Sequence, residues 1–307
     1  MAYVNEAPWH GLGNQLSPHQ PLEVWQREAG MDWNIQSSPV HYLGQGDLLQ
    51  SNDAQVLYRS DSGAALSVVS NRYQVVQPRD VLEFYRDLVE VGGFELETAG
   101  VLKGGKKLWA LARTGQETYL KGNDQVKAYL LLATACDGTL ATTAQFTSIR
   151  VVCNNTLAIA TNDSTDAIKV RHSTKFDADK VKQQLGIGIG AWHRFMHDMH
   201  KLSEQHVNPF EARRYLLEVM GDPDLPFHNQ PNSKALKQVF ELYAGRGMGS
   251  TMASANDTAW GLVNAVTQYV DHEKRARSTD NRLDSAWFGA GAALKQRALE
   301  QALAMAA

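Results

Sequence analysis

Cysteine is scarce in this chain of 307 residues, which contains only Cys136 and Cys153. Two thiols make no disulfide framework, so the stapled secreted mini-domain is excluded and a reducing compartment is the simplest expectation. Neither thiol sits in a Cys/His arrangement, and both are expected to be buried rather than reactive. No apolar run approaches the roughly 18 residues of a membrane helix. Residues 1–16 lack the basic start and apolar core of a signal peptide, so a cytoplasmic protein with no membrane partner is expected. Nucleotide-loop chemistry is missing as well. Gly11 and Gly13 follow no strand, the glycines at 186, 188 and 190 lack fingerprint spacing, and the run 245–249 lacks a Gly-Lys-Ser/Thr ending. No nucleophile motif or acid/base pair stands out: Asp271 and His272 are adjacent on a predicted helix and do not face one another.

The formal net charge is only −3, far from the strongly basic signature of an obligate nucleic-acid binder. Its distribution is uneven. Residues 1–102 hold 5 Lys/Arg against 13 Asp/Glu, residues 103–182 hold 12 against 7, and residues 183–307 hold 13 of each. A basic middle behind an acidic start fits either a local polyanion site or head-to-tail charge complementarity between subunits.

Inside that basic middle lies the run 127–161, which the pattern predicts as a β-hairpin feeding a helix. Asp137-Gly138 is a strong two-residue hairpin signal, with a Thr-rich returning strand over 139–146. Ser148 is placed to cap a helix whose apolar positions are Ile149, Val152, Cys153, Leu157 and Ala160. Arg150, Asn154 and Thr161 then share its other face. Such an arrangement is either a polar groove or an ordinary half-exposed sheet with its packing helix.

Upstream, residues 1–60 are turn-rich, with a Trp-anchored arm at 8–13, a short helix over 21–30 and short strands over 33–42 and 54–59. Residues 65–76 are expected as strand, turn, strand. Pro78 opens a helix with an apolar stripe at Val81, Leu82, Tyr85, Leu88 and Val89, stopped by Gly92-Gly93. A hairpin follows over 94–102 and 107–113, its turn concentrating Lys103, Lys106 and Lys107.

Downstream, Asp177 is expected to cap a long helix reaching towards Val207, with Val181, Leu185, Ile189, Trp192, Met196, Met199 and Leu202 as its stripe. His193, His197 and His200 share one face of it, a spacing that can bind a metal. Without an HExxH motif the expectation is a solvated face and no metal. Further helices are expected over 209–221, 232–244, 254–272 and 286–307. The expected fold class is therefore α+β, with an antiparallel hairpin and helix core in the N-terminal and central part and a helical C-terminal half. The expected division is 1–175 and 176–307.

Several segments together resemble a known family: PWHGLG at 8–13, LSVVSNRYQVVQ at 66–77, KKLWALAR at 106–113, FTSIRVVCNNTLAIA at 146–160, ELYAGRG at 241–247, DTAWGLVNAVTQYVDH at 257–272 and SAWFGAGAALKQRALE at 285–300. They resemble, in order, the phage/plasmid-like protein family known as domain of unknown function 932. The resemblance implies a phage, prophage or plasmid setting and carries no catalytic residues with it.

Two functional readings follow. One is a single-stranded DNA-binding or annealing protein of DNA recombination or replication, similar in role to RecT or Red-beta proteins and acting as a homo-oligomeric ring or filament. It needs a basic track with platforms beneath the bases. The candidate phosphate contacts are Lys103, Lys106, Lys107, Lys127, Arg150, Lys169, Arg171 and Lys175, with Asn154 as a polar partner. No cofactor is required, because annealing is binding and alignment. The other reading is a regulatory or anti-defence protein acting through protein–protein contacts. An enzyme comes third.

Overall fold

A computed structural model of the chain describes residues 1–5, 8, 11–92, 94–159, 168–174, 177, 180 and 189–307. The chain divides into two compact units. Unit 1 comprises residues 1–115, 129–146 and 161–188, and unit 2 comprises 116–128, 147–160 and 189–307. The architecture is α+β, with strands in the N-terminal and central part and helices in the C-terminal half. The units do not follow the single cut expected at residue 175, because two strand-bearing segments cluster with the helices.

In unit 1 a mixed sheet runs in the order β2 (Asn14–Leu16), β1 (Ala2–Val4), β6 (Glu95–Leu102), β7 (Lys107–Leu120), β8 (Asp124–Ala135) and β9 (Thr142–Arg150), with β11 (Ile168–Val170) also pairing β9. Strands β7, β8 and β9 each have residues in both units. Helix α1 (Leu22–Glu28) starts after Pro21, whose fixed backbone suits a helix start. Helix α2 (Pro78–Gly92) buries Val81, Leu82, Phe84 and Tyr85. The Tyr85 hydroxyl lies 2.8 Å from the Ala110 carbonyl and 3.0 Å from that of Leu130, so even this fully buried phenol is satisfied on the sheet.

A second sheet in unit 1 has the order β3 (Ile35–Gly44), β4 (Asp47–Arg59), β5 (Ala65–Ser70). The turn at Gln45-Gly46 has φ of 51° and 95°, the left-handed pair that closes a two-residue hairpin. Strand β3 is as long as expected but lies two residues further on, whereas β4, at 13 residues, is much longer than the expected 54–59. The second strand expected after Ser70 is absent: residues 73–76 carry no strand pairing.

The largest correction falls on residues 148–160, where no helix forms among the described residues. Strand β9 runs through Ser148 to Arg150, residues 151–154 turn, and β10 (Asn155–Ala158) pairs back with Thr156 opposite Ile149 and Leu157 opposite Ser148. Asn154 makes the turn at φ 52°, a conformation Asn tolerates better than most side chains. The apolar three- and four-residue spacing was produced by a four-residue turn between two strands. The β-branched content of this stretch, from Thr142 to Thr156, was the better guide.

Unit 2 is built on α6 (Ala259–Gln268), every residue of which is buried. Helices α3 (Ile189–Glu204), α5 (Ser233–Glu241) and α8 (Ala290–Met305) pack on it, as does β10. A helix buried all round belongs at the centre of a bundle, and its polar Asn264, Thr267 and Gln268 are buried with the rest. Helix α4 (Pro209–Met220) opens with a complete capping box between Asn208 and Glu211. The last helix expected over 286–307 is two, α7 (Thr279–Phe288) and α8, broken at Gly289. The proposed start of the long helix, with Val181 and Leu185, falls outside the described residues, as do Trp9 and His10 of the arm at 8–13.

Candidate functional site

The polar chemistry of unit 2 lies in its interior. Asp124, wholly buried at the start of β8, accepts from Arg150 Nε at 2.7 and 3.0 Å, from Ser254 Oγ at 2.5 Å and from Trp260 Nε1 at 3.1 Å. Arg150, at 2% exposure, also donates through Nη2 to the Gly249 carbonyl at 3.0 Å, and its guanidinium sits 5.9 Å from the Trp260 ring centroid. A buried carboxylate with four such bonds is a satisfied group, and the pair is held from both sides.

A second buried pair is assembled around the π turn Tyr269–Glu273 that ends α6. Asp271 accepts from the Thr156 backbone N–H at 2.9 Å and its hydroxyl at 3.1 Å, while Lys295 Nζ reaches Asp271 at 2.8 Å and Thr156 Oγ at 2.7 Å. Burial pushes the Lys295 ammonium below its ordinary range, against the pull of Asp271. Burial likewise lowers the His272 imidazole and raises the Cys153 thiol to about 11. Nearer the surface, Glu273 accepts from Arg246 at 2.9 Å, from Gln268 at 3.3 Å and from Gln238. Every charge in the two buried pairs is spent on a protein partner. That is the chemistry of a specified core, and it offers no open position to a reacting atom.

A more open arrangement lies in unit 1, at the tip of the β8–β9 hairpin. The turn around Asp137-Gly138 is clasped from four directions. The Lys106 carbonyl accepts from the Cys136 N–H at 2.9 Å, and Ser67 Oγ donates to the Cys136 carbonyl at 2.5 Å. The Tyr73 hydroxyl donates to the Ala135 carbonyl at 2.5 Å, and His172 Nε2 lies 3.0 Å from the Leu140 carbonyl. Tyr73 and His172 stack with centroids 4.5 Å apart. Lys106, whose carbonyl takes part in this clasp, and Lys103 are half-buried on the 3-10 turn Lys103–Gly105 and its cap; Lys169, opposite Thr143 of β9, and Arg171, next to His172, are exposed. Desolvation raises the Cys136 thiol to about 11, with Lys106 opposing, so it is not an activated nucleophile.

The expected phosphate contacts therefore separate. Lys103, Lys106, Lys169 and Arg171 belong to unit 1. Lys107 belongs to unit 1 too but is buried, at 8% exposure. Lys127 and Asn154 are half-buried in unit 2. Arg150 is a correction: Asp124 holds it in the core, where a phosphate cannot reach it. Lys175 lies outside the described residues. His193, His197 and His200 are exposed along α3, and among the described residues no group of three His, Cys, Asp or Glu is placed to hold a metal ion. Sequence reasoning missed Asp124, which stands in a turn-like Gly-Asn-Asp stretch, and missed the partnership of Asp271 with Lys295. Nothing in the local pattern connects either to its partner, which lies 26 and 24 residues away respectively.

Among the described residues no helix is long and apolar enough to cross a membrane. The family described as Domain of unknown function (DUF932) matches over residues 65–287. No curated protein and no solved structure matches the chain.

Proposed function

Because the chain belongs to the DUF932 family, whose description assigns no activity, we propose that it is a single-stranded DNA-binding or annealing protein. In this reading it acts as a cytoplasmic homo-oligomer, ring or filament, in recombination or replication of a phage, prophage or plasmid. The observation that carries the reading is the cationic rim of the unit 1 hairpin tip. The Lys106 carbonyl holds the Cys136 N–H of the clasp and Arg171 precedes His172 of the stacked Tyr73–His172 pair, with Lys103 on the same turn as Lys106 and Lys169 on the strand paired to β9. Cations that track a backbone beside an aromatic platform are what sequence-tolerant single-strand binding requires. Asp137 is the carboxylate at the tip, and it is engaged by Thr139.

The test is fluorescence anisotropy of labelled oligo(dT) with wild type and with Lys103→Ala/Lys106→Ala. Wild type binds at low salt, with affinity falling as salt rises. The double variant binds at least about tenfold more weakly, and its log–log salt slope is smaller by about 1.4, since each single-strand phosphate contact contributes about 0.7. A protein that leaves oligo(dT) unbound at low salt, or a double variant with unchanged affinity and slope, sinks the proposal.

A second reading, a regulatory or anti-defence protein working through protein contacts, is favoured by the β3–β4 ribbon. Leu43 there is 79% exposed and Leu48 69%. It predicts a specific protein partner in pull-downs and indifference to the lysine substitutions.

A further inference from the structure

The ribbon end over residues 41–50 is a two-stranded extension. Strand β5 pairs β4 only from Ala54 onward, so residues before it have β3 alone as neighbour. The register sets Tyr42 opposite Leu49 and Leu43 opposite Leu48, and cross-strand partners share a face. Both faces of the ribbon therefore carry an apolar pair, and all four side chains are more than 40% exposed. A bare two-stranded ribbon is marginal in water, and a doubly apolar one is a surface awaiting cover. Its charge has one sign only: no Lys or Arg occurs between Arg27 and Arg59, whereas Asp47 stands beside the turn and Asp53 farther along β4.

The opposite combination occurs in unit 2. Phe210, 76% exposed, opens α4, and Arg213, one turn on, lies with its guanidinium 4.8 Å from the Phe240 ring centroid. Along the same helix as Phe240, Lys234 and Lys237 are exposed, and they line an open cleft with Arg246 and Glu241. This face is apolar and predominantly cationic, where the ribbon is apolar and acidic.

We propose that the occupant of the ribbon is a second copy of this chain. The Tyr42–Leu49 end of one copy docks on the Phe210–Arg213–Lys237 face of the next. The two surfaces differ, so the contact is heterologous, and repetition yields a ring where the rotation closes and a filament where it does not. The inference rests on the oligomeric part of the reading above and is independent of its DNA part.

The experiment is solution mass by light scattering and sedimentation velocity at tens of micromolar, without DNA. Two variants are used, Leu43→Asp/Leu48→Asp on the ribbon and Phe210→Asp/Lys237→Glu on the face. All four positions are exposed, and unchanged thermal melts confirm folding. Wild type forms species larger than a monomer, each variant alone is monomeric, and an equimolar mixture of the two forms a 1:1 complex. The mixture pairs because each variant keeps the surface the other has lost. Monomeric wild type, variants that still assemble, or two monomeric variants that fail to pair when mixed each overturn the proposal. So does wild type that is recruited to lipid vesicles through Leu43 and Leu48 while remaining monomeric. Oligo(dT) binding by the monomeric variants is measured in parallel, so loss of the DNA reading is seen separately from loss of assembly.

Discussion

Arg150 shows how far a residue's role is set by its partner. Its type and its place in the basic middle suggest a phosphate contact, yet Asp124 neutralises it at 2% exposure. Arg150→Met leaves the buried Asp124 carboxylate with Ser254 and Trp260 but no countercharge. We expect a loss of about 3–5 kcal/mol in urea unfolding, with the Arg150→Met/Asp124→Leu pair recovering part of it. A double variant as unstable as the sum of its singles would show that the two residues do not act as a pair. His272 carries a pH prediction. Burial holds its imidazole below the ordinary value, with Asp271 opposing. The unfolded chain thus takes up a proton that the folded chain resists. Stability present above about pH 6.5 is therefore lost as the pH falls through and below that value. Melting temperatures between about pH 7.5 and 5 should fall, and His272→Asn should flatten that slope; an identical slope in the variant would remove His272 from the account.

Elements with a single strong period were legible in advance. Pro78 with the stripe from Val81 onward gave α2, and the helix expected over 209–221 stands as α4, because an amphipathic helix needs only local spacing. The expected helix after Ser148 failed because apolar residues at three- and four-residue steps also arise across two short strands and a tight turn. Which of the two forms depends on β10 having β9 and α6 to pack on. Helix α6 makes a sharper demand. A Cβ on Gly261 would sit 2.0 Å from the Ala255 carbonyl oxygen. Gly261→Ala is expected to cost several kcal/mol, since overpacking against backbone has no flexible side chain to yield. Near-native chemical denaturation of that variant would contradict the close approach.

For the whole molecule, the division into units has a direct consequence. Unit 2 takes Asp124 from residues 116–128, and Arg150, Asn155 and Thr156 from 147–160. A fragment starting at residue 176 has the helices but loses the partners of Trp260, Asn264, Asp271 and Lys295. It should therefore show helical circular dichroism without a cooperative melt, whereas the full chain melts cooperatively. A cooperative melt of that fragment would place the boundary at residue 175 after all. This division was illegible in the sequence, because strands β7, β8 and β9 each change unit partway along, at points marked by no linker composition.

The amino-acid sequence alone determined what depends on near neighbours. Those features are the α+β class, the helices with clear stripes, the turns at glycine pairs, the two unbridged cysteines and the lopsided charge. Tertiary structure decided which cations are buried against a carboxylate. It gave Arg150 to Asp124 and Lys295 to Asp271, and it left Lys169 and Arg171 exposed in unit 1. The reason is that charge and periodicity are local properties of a chain. Burial and pairing join residues up to 139 positions apart, as in the contact of Lys295 with Thr156.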